Sequence, residues 1–283
     1  MISQKIQDVL RSSHAAKKGL PALNYTDMWD LLAIAAAVEK TNTPVIVSSH
    51  PLVTTMLSLE LCQAMVDAIN RKCTVALYHH LDHGDSVELC MQAVDAGYHS
   101  VMIDGSGESL EENIRVTREV VDYAHSRGVL VEGEIGRIKG VSAEGDFEGG
   151  VYLAETADAI ALAEESGVDH LAVGIGPAHG FYTEKPHIHF DRLDEITSAV
   201  SVPLVLHGGT GIPDEDLRKA IRGGITKVNI GTIIHTTYLG KLKAELNTAG
   251  DDPYTTTIME NVLPEIIDVV CDRIRVIAGV GIE

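Results

Sequence analysis

Three histidines stand where the chain leaves short β-like segments. His83 follows the third such segment, His179 follows the sixth and His207 ends the seventh. A lone histidine is more often a core or surface residue, but three at strand ends favour a shared role. Imidazole is a common ligand of divalent metals, and catalytic zinc commonly takes three protein ligands and keeps a position for water or substrate. The pattern therefore predicts a metal site, with zinc as the ion.

Carboxylates follow the same segments. Asp82 directly precedes His83, which suits a general acid/base held beside the metal. Its alternative role is to orient an imidazole, as metal-bound histidines usually require. Asp104 and Glu134 end the fourth and fifth segments. We expect them to bind a second cation or an alternative position of the first, with plain structural hydrogen bonding as the alternative.

Two glycine-rich turns follow the last two segments, His207-Gly208-Gly209-Thr210-Gly211 and Asn229-Ile230-Gly231-Thr232. Backbone N–H groups and a helix N-terminus at these two positions of an α/β barrel often bind phosphate. Either turn alone would serve an ordinary loop. Together they predict a phosphate site, which gives an acidic chain a local place for an anionic substrate.

These residues can act together only in a fold that brings the ends of the strands close to one another, and the apolar pattern predicts such a fold. Eight β-like runs alternate with helical patterns, as in parallel strands covered on both faces. The runs are Leu20–Tyr25, Pro44–Ser49, Thr74–His80, Ser100–Asp104, Val129–Glu134, His170–Ile175, Val202–His207 and Thr226–Ile230. The pattern predicts a (β/α)8 TIM barrel spanning residues 1–283 as one domain, and an amphipathic stretch after the eighth unit predicts an extra C-terminal helix.

Composition narrows the class of protein. The formal charge of −19 disfavours nucleic acid and anionic membranes as partners, because both require a basic surface. Four scattered cysteines form no disulfide framework, and neither a signal core nor a membrane-length apolar run is visible. We expect a cytoplasmic protein. Residues 137–150, charged and glycine-rich after the fifth run, are predicted to form a mobile active-site loop.

The motifs together resemble the class II, zinc-dependent ketose-bisphosphate aldolases, which cleave fructose and tagatose bisphosphates. The resemblance covers nearly the whole chain. It is carried by Leu81-Asp82-His83, Met102-Ile103-Asp104-Gly105-Ser106, Val131-Glu132-Gly133-Glu134-Ile135-Gly136, Ala178-His179-Gly180, Leu206-His207-Gly208-Gly209 and Lys227-Val228-Asn229. Any one of the shorter pieces would be weak, but the combination is specific.

The resemblance implies a lyase of carbohydrate metabolism that reversibly cleaves a ketose phosphate to dihydroxyacetone phosphate and an aldehyde. Zn2+ on the three histidines would polarise the ketone and stabilise the enediolate, and Asp82 would exchange the proton of the C4 hydroxyl. Asp104 and Glu134 match the second metal position of the family, and a monovalent cation is a further expectation. The implied contacts with dihydroxyacetone phosphate are Gly180, Gly208, Gly209, Thr210, Asn229, Ile230, Gly231 and Thr232.

A loop glutamate of the family handles the proton on the enediolate carbon. Glu144 is the candidate here, with Asp146 and Glu148 as alternatives. Asn24 and Ser49, near the ends of the first two runs, are further candidate substrate contacts. The resemblance and the apolar C-terminal helix also imply a homodimer or homotetramer.

Two departures bear on the substrate. Thr210 replaces the serine of many relatives and keeps the hydroxyl. Tyr254 stands where bisphosphate-cleaving relatives often place an arginine that grips the distal phosphate, and its loss would weaken recognition of that phosphate. A ketose 1-phosphate with an unphosphorylated aldehyde half is therefore an alternative substrate.

Two other functions compete with a metal-dependent aldolase. Lys227, near the end of the eighth run, would serve a Schiff-base aldolase, although a lysine there also suits a structural role. A noncatalytic barrel subunit that regulates a partner enzyme would lack part of the catalytic set. Asp82 with three histidines argues against that reading.

Overall fold

Eight parallel strands close into a barrel in chain order, with the first strand paired to the eighth. The computed structural model describes residues 5–136, 153–177, 186–250 and 254–281. The strands are β1 (Leu20–Asn24), β2 (Val45–Ser49), β3 (Leu77–Gly84), β4 (Ser100–Ile103), β5 (Leu130–Ile135), β6 (His170–Val173), β7 (Leu204–Leu206) and β8 (Ile225–Ile230). The predicted (β/α)8 barrel is confirmed, whereas the assignment of residues 1–283 to one domain stays a prediction.

Helices cover the outside of the barrel in the described ranges. They are α1 (Ile6–Ala15), α2 (Met28–Thr41), α3 (Pro51–Leu57), α4 (Leu59–Asn70), α5 (Val87–Ala96), α6 (Leu110–His125), α7 (Thr156–Ser166), α8 (Phe190–Ala199), α9 (Asp214–Arg222), α10 (Thr232–Thr248) and α11 (Thr255–Ala278). The last is the extra C-terminal helix predicted from the amphipathic pattern. It packs chiefly on α2 and α10.

Local sequence signals fix several helix starts. Asp27 caps α2 by accepting from the backbone N–H groups of Trp29 and Asp30, and the Asp30 side chain completes a capping box. These hydrogen bonds satisfy backbone donors that a helix start leaves without partners. Pro213 is the N-cap residue of α9.

Alternation along each strand decides which side chains enter the barrel. Outward residues such as Val45 and Val47 join the large core shared with the helices, while the inward Ile46 joins a smaller one. Leu20 and Tyr78 belong to the smaller core, together with Ile6, Val9 and Leu10 of α1. Because Leu20 begins β1, α1 closes the N-terminal end of the barrel, so the opposite end is left for chemistry.

The largest difference between predicted and observed strand bounds is at the third strand. The third strand was placed at Thr74–His80, but β3 runs from Leu77 to Gly84 and therefore carries Asp82 and His83 within it. The run of apolar residues ends before these polar residues, and the strand predicted from that run therefore ended too early. In the described part of the chain no single helix has the length and apolar character of a membrane span. The pair α3 and α4, bent by 93°, meets both criteria jointly.

Candidate active site

A break in the regular strand geometry brings two consecutive side chains to the barrel mouth. Neighbouring residues of a strand normally point to opposite faces. The pairing of β3 with β4 shifts register between Leu81 and Gly84, and His83 adopts a left-handed backbone with φ of 51°. Asp82 and His83 can therefore both present ligand atoms to His207, all within 4.8 Å of one another.

Two imidazole rings face each other at this point. Nε2 of His83 lies 2.9 Å from Nδ1 of His207, and the rings meet edge to face. The outer nitrogen of each ring contacts a carboxylate: Nδ1 of His83 lies 2.8 Å from Asp104, and Nε2 of His207 lies 2.9 Å from Glu132. An ionised carboxylate only accepts, so the outer nitrogens carry the protons and two lone pairs face inward.

Facing lone pairs require a shared proton or a cation between them. The hydrogen bond to Asp104 and the nearby carboxylates overcome burial and raise the pKa of His83 well above its usual range. Burial lowers the pKa of His207, so a shared proton would reside on His83. A tetrahedral zinc holds its nitrogen ligands roughly 3.3 Å apart, which is close to the observed separation. The donor set of imidazoles backed by carboxylates fits a zinc ion.

Asp82 is held by one amide on each carboxylate oxygen. Asn24 Nδ2, from the end of β1, donates to Oδ2 at 2.7 Å, and Asn229 Nδ2, from β8, donates to Oδ1 at 2.9 Å. Burial favours the neutral acid, yet the charges of His83 and His207 hold the pKa of Asp82 well below its usual range. The ionised form can accept a proton from a substrate hydroxyl.

A second set of donor atoms overlaps the first. His83, Asp104 and Glu134 also bring ligand atoms within 4.8 Å of one another. Asp104 already accepts from His83 and, through its other oxygen, from the backbone and hydroxyl of Ser106. Burial favours the neutral acid, but the hydrogen bond from His83 lowers the pKa of Asp104 to about 2. Asp104 thus orients an imidazole in this arrangement, a role that the sequence left open.

The two glycine turns meet beside the mouth. Gly209 donates its N–H to the Asn229 carbonyl at 3.0 Å, and a side chain at Gly209 would approach that oxygen to 2.9 Å. Thr210 accepts from the backbone of Ile233 in the first turn of α10. Gly208 has a φ of 64°, in the region that favours glycine. The turns and a helix N-terminus are therefore adjacent, and the phosphate site stays a prediction.

The family model described as fructose-bisphosphate aldolase class-II matches residues 4–281 of the chain. The chain belongs to this family. A class II aldolase is an aldehyde-lyase.

Named relatives agree with this assignment. The chain is 40% identical over 230 residues to the 6-phospho-5-dehydro-2-deoxy-D-gluconate aldolase of Halalkalibacterium halodurans, covering 80% of this chain and 79% of that protein. The crystal structure of the YdjI aldolase of Escherichia coli K12 is 31% identical, covers 98% of both chains and superposes with a TM-score of 0.86. A Campylobacter jejuni fructose-bisphosphate aldolase shares the fold at 18% identity and a TM-score of 0.81, over 97% of this chain and 94% of that one.

The class II aldolase has a second polar layer directly below its mouth. Glu132 and Lys227 lie on β5 and β8, two residues before Glu134 and Asn229, and both are fully buried. Lys227 Nζ contacts Glu132 Oε2 at 2.6 Å. The Schiff-base alternative is therefore wrong for this arrangement, because Lys227 is sealed in an ion pair beneath the mouth.

Sequence reasoning missed Glu132 as a member of the site. The sequence could have predicted it, because residues two apart on a strand point to the same face, and Glu132 is two residues before Glu134. His50 was missed as well. It follows β2 as the N-cap of α3, and its ring centroid lies 6.2 Å from that of His83.

Not every predicted residue reaches the mouth. Ser49 is fully buried on the outward face of β2, where its hydroxyl lies 3.2 Å from His79 and 3.0 Å from Tyr98. Its placement as a substrate contact is corrected, because strand alternation turns Ser48 inward instead. His179, Gly180 and Glu144 lie outside the described residues, as do residues 137–150. Their roles stay predictions.

Proposed function

We propose that this class II aldolase is zinc-dependent and reversibly cleaves a ketose phosphate to dihydroxyacetone phosphate and an aldehyde without a phosphate. The observation that carries the proposal is the pair of imidazole nitrogens 2.9 Å apart, each ring backed by a carboxylate, beside ionised Asp82. His83 and His207 would hold the zinc, with His179 as the third ligand. When bound, zinc supplies a Lewis acid for the ketone oxygen of the substrate.

Asp82 has the geometry of the base that starts cleavage. It takes the proton of the hydroxyl on the carbon that becomes the aldehyde, and the adjacent carbon–carbon bond breaks as that carbonyl forms. The bonding electron pair stays on the dihydroxyacetone phosphate half, which then takes up a proton, for which Glu144 is the proposed donor. Asn24 and Asn229 keep the Asp82 carboxylate in place.

The Asn229 amide also fits a substrate contact. Its Oδ1 is buried and has no hydrogen-bond partner among the described residues, while its Nδ2 is used by Asp82. A buried acceptor without a partner is unfavourable by about 1–3 kcal/mol, so a substrate hydroxyl that donates to it gains binding energy. The adjacent turns at Gly208–Thr210 and Gly231–Thr232 would hold the phosphate of the dihydroxyacetone half.

Two observations favour a single phosphate on the substrate. By the family resemblance, Tyr254 stands where bisphosphate-cleaving relatives often place an arginine that binds the distal phosphate, and it is 74% exposed at the start of α11. The Halalkalibacterium halodurans relative is named for a sugar acid with one phosphate. A distal carboxylate or hydroxyl group needs less positive charge around it than a second phosphate does.

A coupled assay of dihydroxyacetone phosphate release tests the proposal. The zinc-loaded protein receives 6-phospho-5-dehydro-2-deoxygluconate, fructose 1-phosphate and the 1,6-bisphosphates of fructose and tagatose. We expect kcat/KM for the best monophosphate to exceed that for either bisphosphate by about 10-fold or more, the effect of one charged hydrogen bond. Equal or higher values for a bisphosphate would contradict the single-phosphate substrate. No release from any compound would contradict the aldolase reaction and favour a noncatalytic subunit.

A further inference from the structure

The ion pair of Glu132 and Lys227 is connected to the mouth through a single histidine. Glu132 divides its two oxygens: Oε2 contacts Lys227 Nζ at 2.6 Å, and Oε1 lies 2.9 Å from Nε2 of His207. All three side chains are fully or almost fully buried. The Lys227–Glu132–His207 chain therefore joins the closed layer of the barrel to the proposed metal site.

The contact with Glu132 decides which nitrogen of His207 is available to a metal. A carboxylate accepts the Nε2 proton, so the lone pair of the ring is on Nδ1, the atom that faces His83. With the other tautomer, a proton would stand between the two rings. The same contact sets the ring plane, because Glu132 on β5 and the backbone of His207 fix the two ends of the side chain.

Stability alone gives no reason for this ion pair. Replacing a buried salt bridge with apolar residues of similar volume is often neutral or stabilising, because burial removes the hydration of both charges. Lys227 Nζ lies 2.6 Å from Glu132 Oε2 and gives the buried carboxylate a partner of opposite charge. Among the mouth residues in the described part of the chain, the one that Glu132 is seen to contact is His207, through its other oxygen.

We propose that Glu132, paired with Lys227, is a positioning residue that fixes the Nε2 tautomer and ring orientation of His207 for metal binding. The inference rests on the proposed role of His207 as a zinc ligand. Carboxylates behind a metal-bound histidine raise its basicity, and their loss typically weakens metal affinity about 10- to 100-fold.

Neighbouring groups of the layer supply packing without reaching the mouth. His80 Nδ1 lies 2.7 Å from the Ser100 hydroxyl, and its Nε2 lies 3.3 Å from Lys227 Nζ. Nε2 of His170 lies 2.9 Å from Glu132 Oε2. His170 and Lys227 thus both contact Oε2, and Oε1 contacts His207.

Two double variants separate positioning from packing. Glu132→Met/Lys227→Met removes both charges and the acceptor, whereas Glu132→Gln/Lys227→Met removes the charges and keeps a neutral acceptor for His207. The zinc dissociation constant of each is measured by competition with a chromophoric chelator, and the stability of the metal-free protein by urea unfolding. Ser100→Ala is the matched control, since it removes a hydrogen bond of the same layer that does not involve His207.

We expect the metal-free Met/Met protein to be as stable as wild type, with zinc affinity about 10- to 100-fold weaker. The Gln/Met variant should fall between the two, because a neutral acceptor forms a weaker bond than a carboxylate. Ser100→Ala should bind zinc as wild type does.

Unchanged zinc affinity in a folded Met/Met protein would overturn the inference. If that variant does not fold, wild-type affinity in Gln/Met overturns it instead, and weakened affinity there supports it. A wild-type protein that binds no zinc would contradict the proposed function itself. Absence of zinc binding in the wild type thus tests the proposed function, whereas unchanged zinc affinity in the variants tests the role of Glu132 alone.

Discussion

Two polar layers inside the barrel differ in how their charges are balanced. They lie two residues apart on the same strands, so that Glu132 precedes Glu134 on β5 and Lys227 precedes Asn229 on β8. The lower layer contains its own cation, since Lys227 neutralises Glu132. In the described part of the mouth, Asp82 is held by two neutral amides and Asp104 by His83.

This difference indicates that the lower layer has a structural role and that the mouth is the part suited to chemistry. A buried carboxylate with a lysine partner is electrostatically complete. Carboxylates and facing imidazole lone pairs without such a partner form a site that favours an added cation. The same alternation that builds the barrel therefore produces both layers, and the placement of one lysine distinguishes the lower layer from the proposed metal site.

The largest effect should follow removal of a ligand from the mouth. His83→Asn, which keeps a residue that tolerates the left-handed backbone, should abolish zinc binding and lower kcat by at least about 10⁴-fold, because several kcal/mol of Lewis-acid stabilisation is lost. Zinc content by mass spectrometry and the coupled assay measure both. His14→Asn, far from the mouth on α1, should change neither. Full activity of the zinc-free His83→Asn protein would refute a metal role for the mouth.

Removal of the base should separate chemistry from metal binding. Asp82→Asn should lower kcat about 10³-fold, since an amide cannot accept the hydroxyl proton, while stoichiometric zinc is kept. Single-turnover rates and zinc content are the measurements. The exposed neighbour Asp85 provides the control, and Asp85→Asn should retain wild-type kcat. If Asp82→Asn lost zinc in proportion to activity, Asp82 would be a ligand and not the base.

A substitution in the lower layer should change the free energy of unfolding. Lys227→Met leaves Glu132 without its cation and should lower the free energy of unfolding by about 3–5 kcal/mol, because a buried charge loses its partner. Urea unfolding of the metal-free protein measures this change. Asp82→Asn should lower the same quantity by less than Lys227→Met does, because it removes one acceptor and leaves no buried charge without a partner. Similar losses in both variants would remove the distinction between the layers.

The smallest effect should come from an amide that supports the base. Asn24→Ala removes one donor from Asp82 and should lower kcat about 10-fold, with zinc affinity unchanged, because a hydrogen bond to a charged group contributes about 1.5–3 kcal/mol. Asn261→Ala on α11, where the amide contacts Glu245, is the control. A wild-type kcat for Asn24→Ala would contradict a role for Asn24 in supporting Asp82 and would leave that role to Asn229.

The sequence predicted the barrel well because its eight apolar runs are the outward faces of the strands and depend little on distant contacts. It could not place the end of β3, since Asp82 and His83 interrupt the apolar run although the strand continues through them. It also gave no reason to bury Lys227, because the ion pair with Glu132 joins residues 95 positions apart. Ser49 was misplaced because a strand end shows which residues are near the mouth but not which face they occupy.

The left-handed backbone of His83 has a consequence for selection on this chain. A histidine at a φ of 51° is less favourable than glycine in the same conformation by about 1–2 kcal/mol. A glycine at that position would relieve this strain, but it would also remove the buried imidazole that contacts Asp104 and His207. The strained backbone is therefore retained together with the side chain that the proposed chemistry requires.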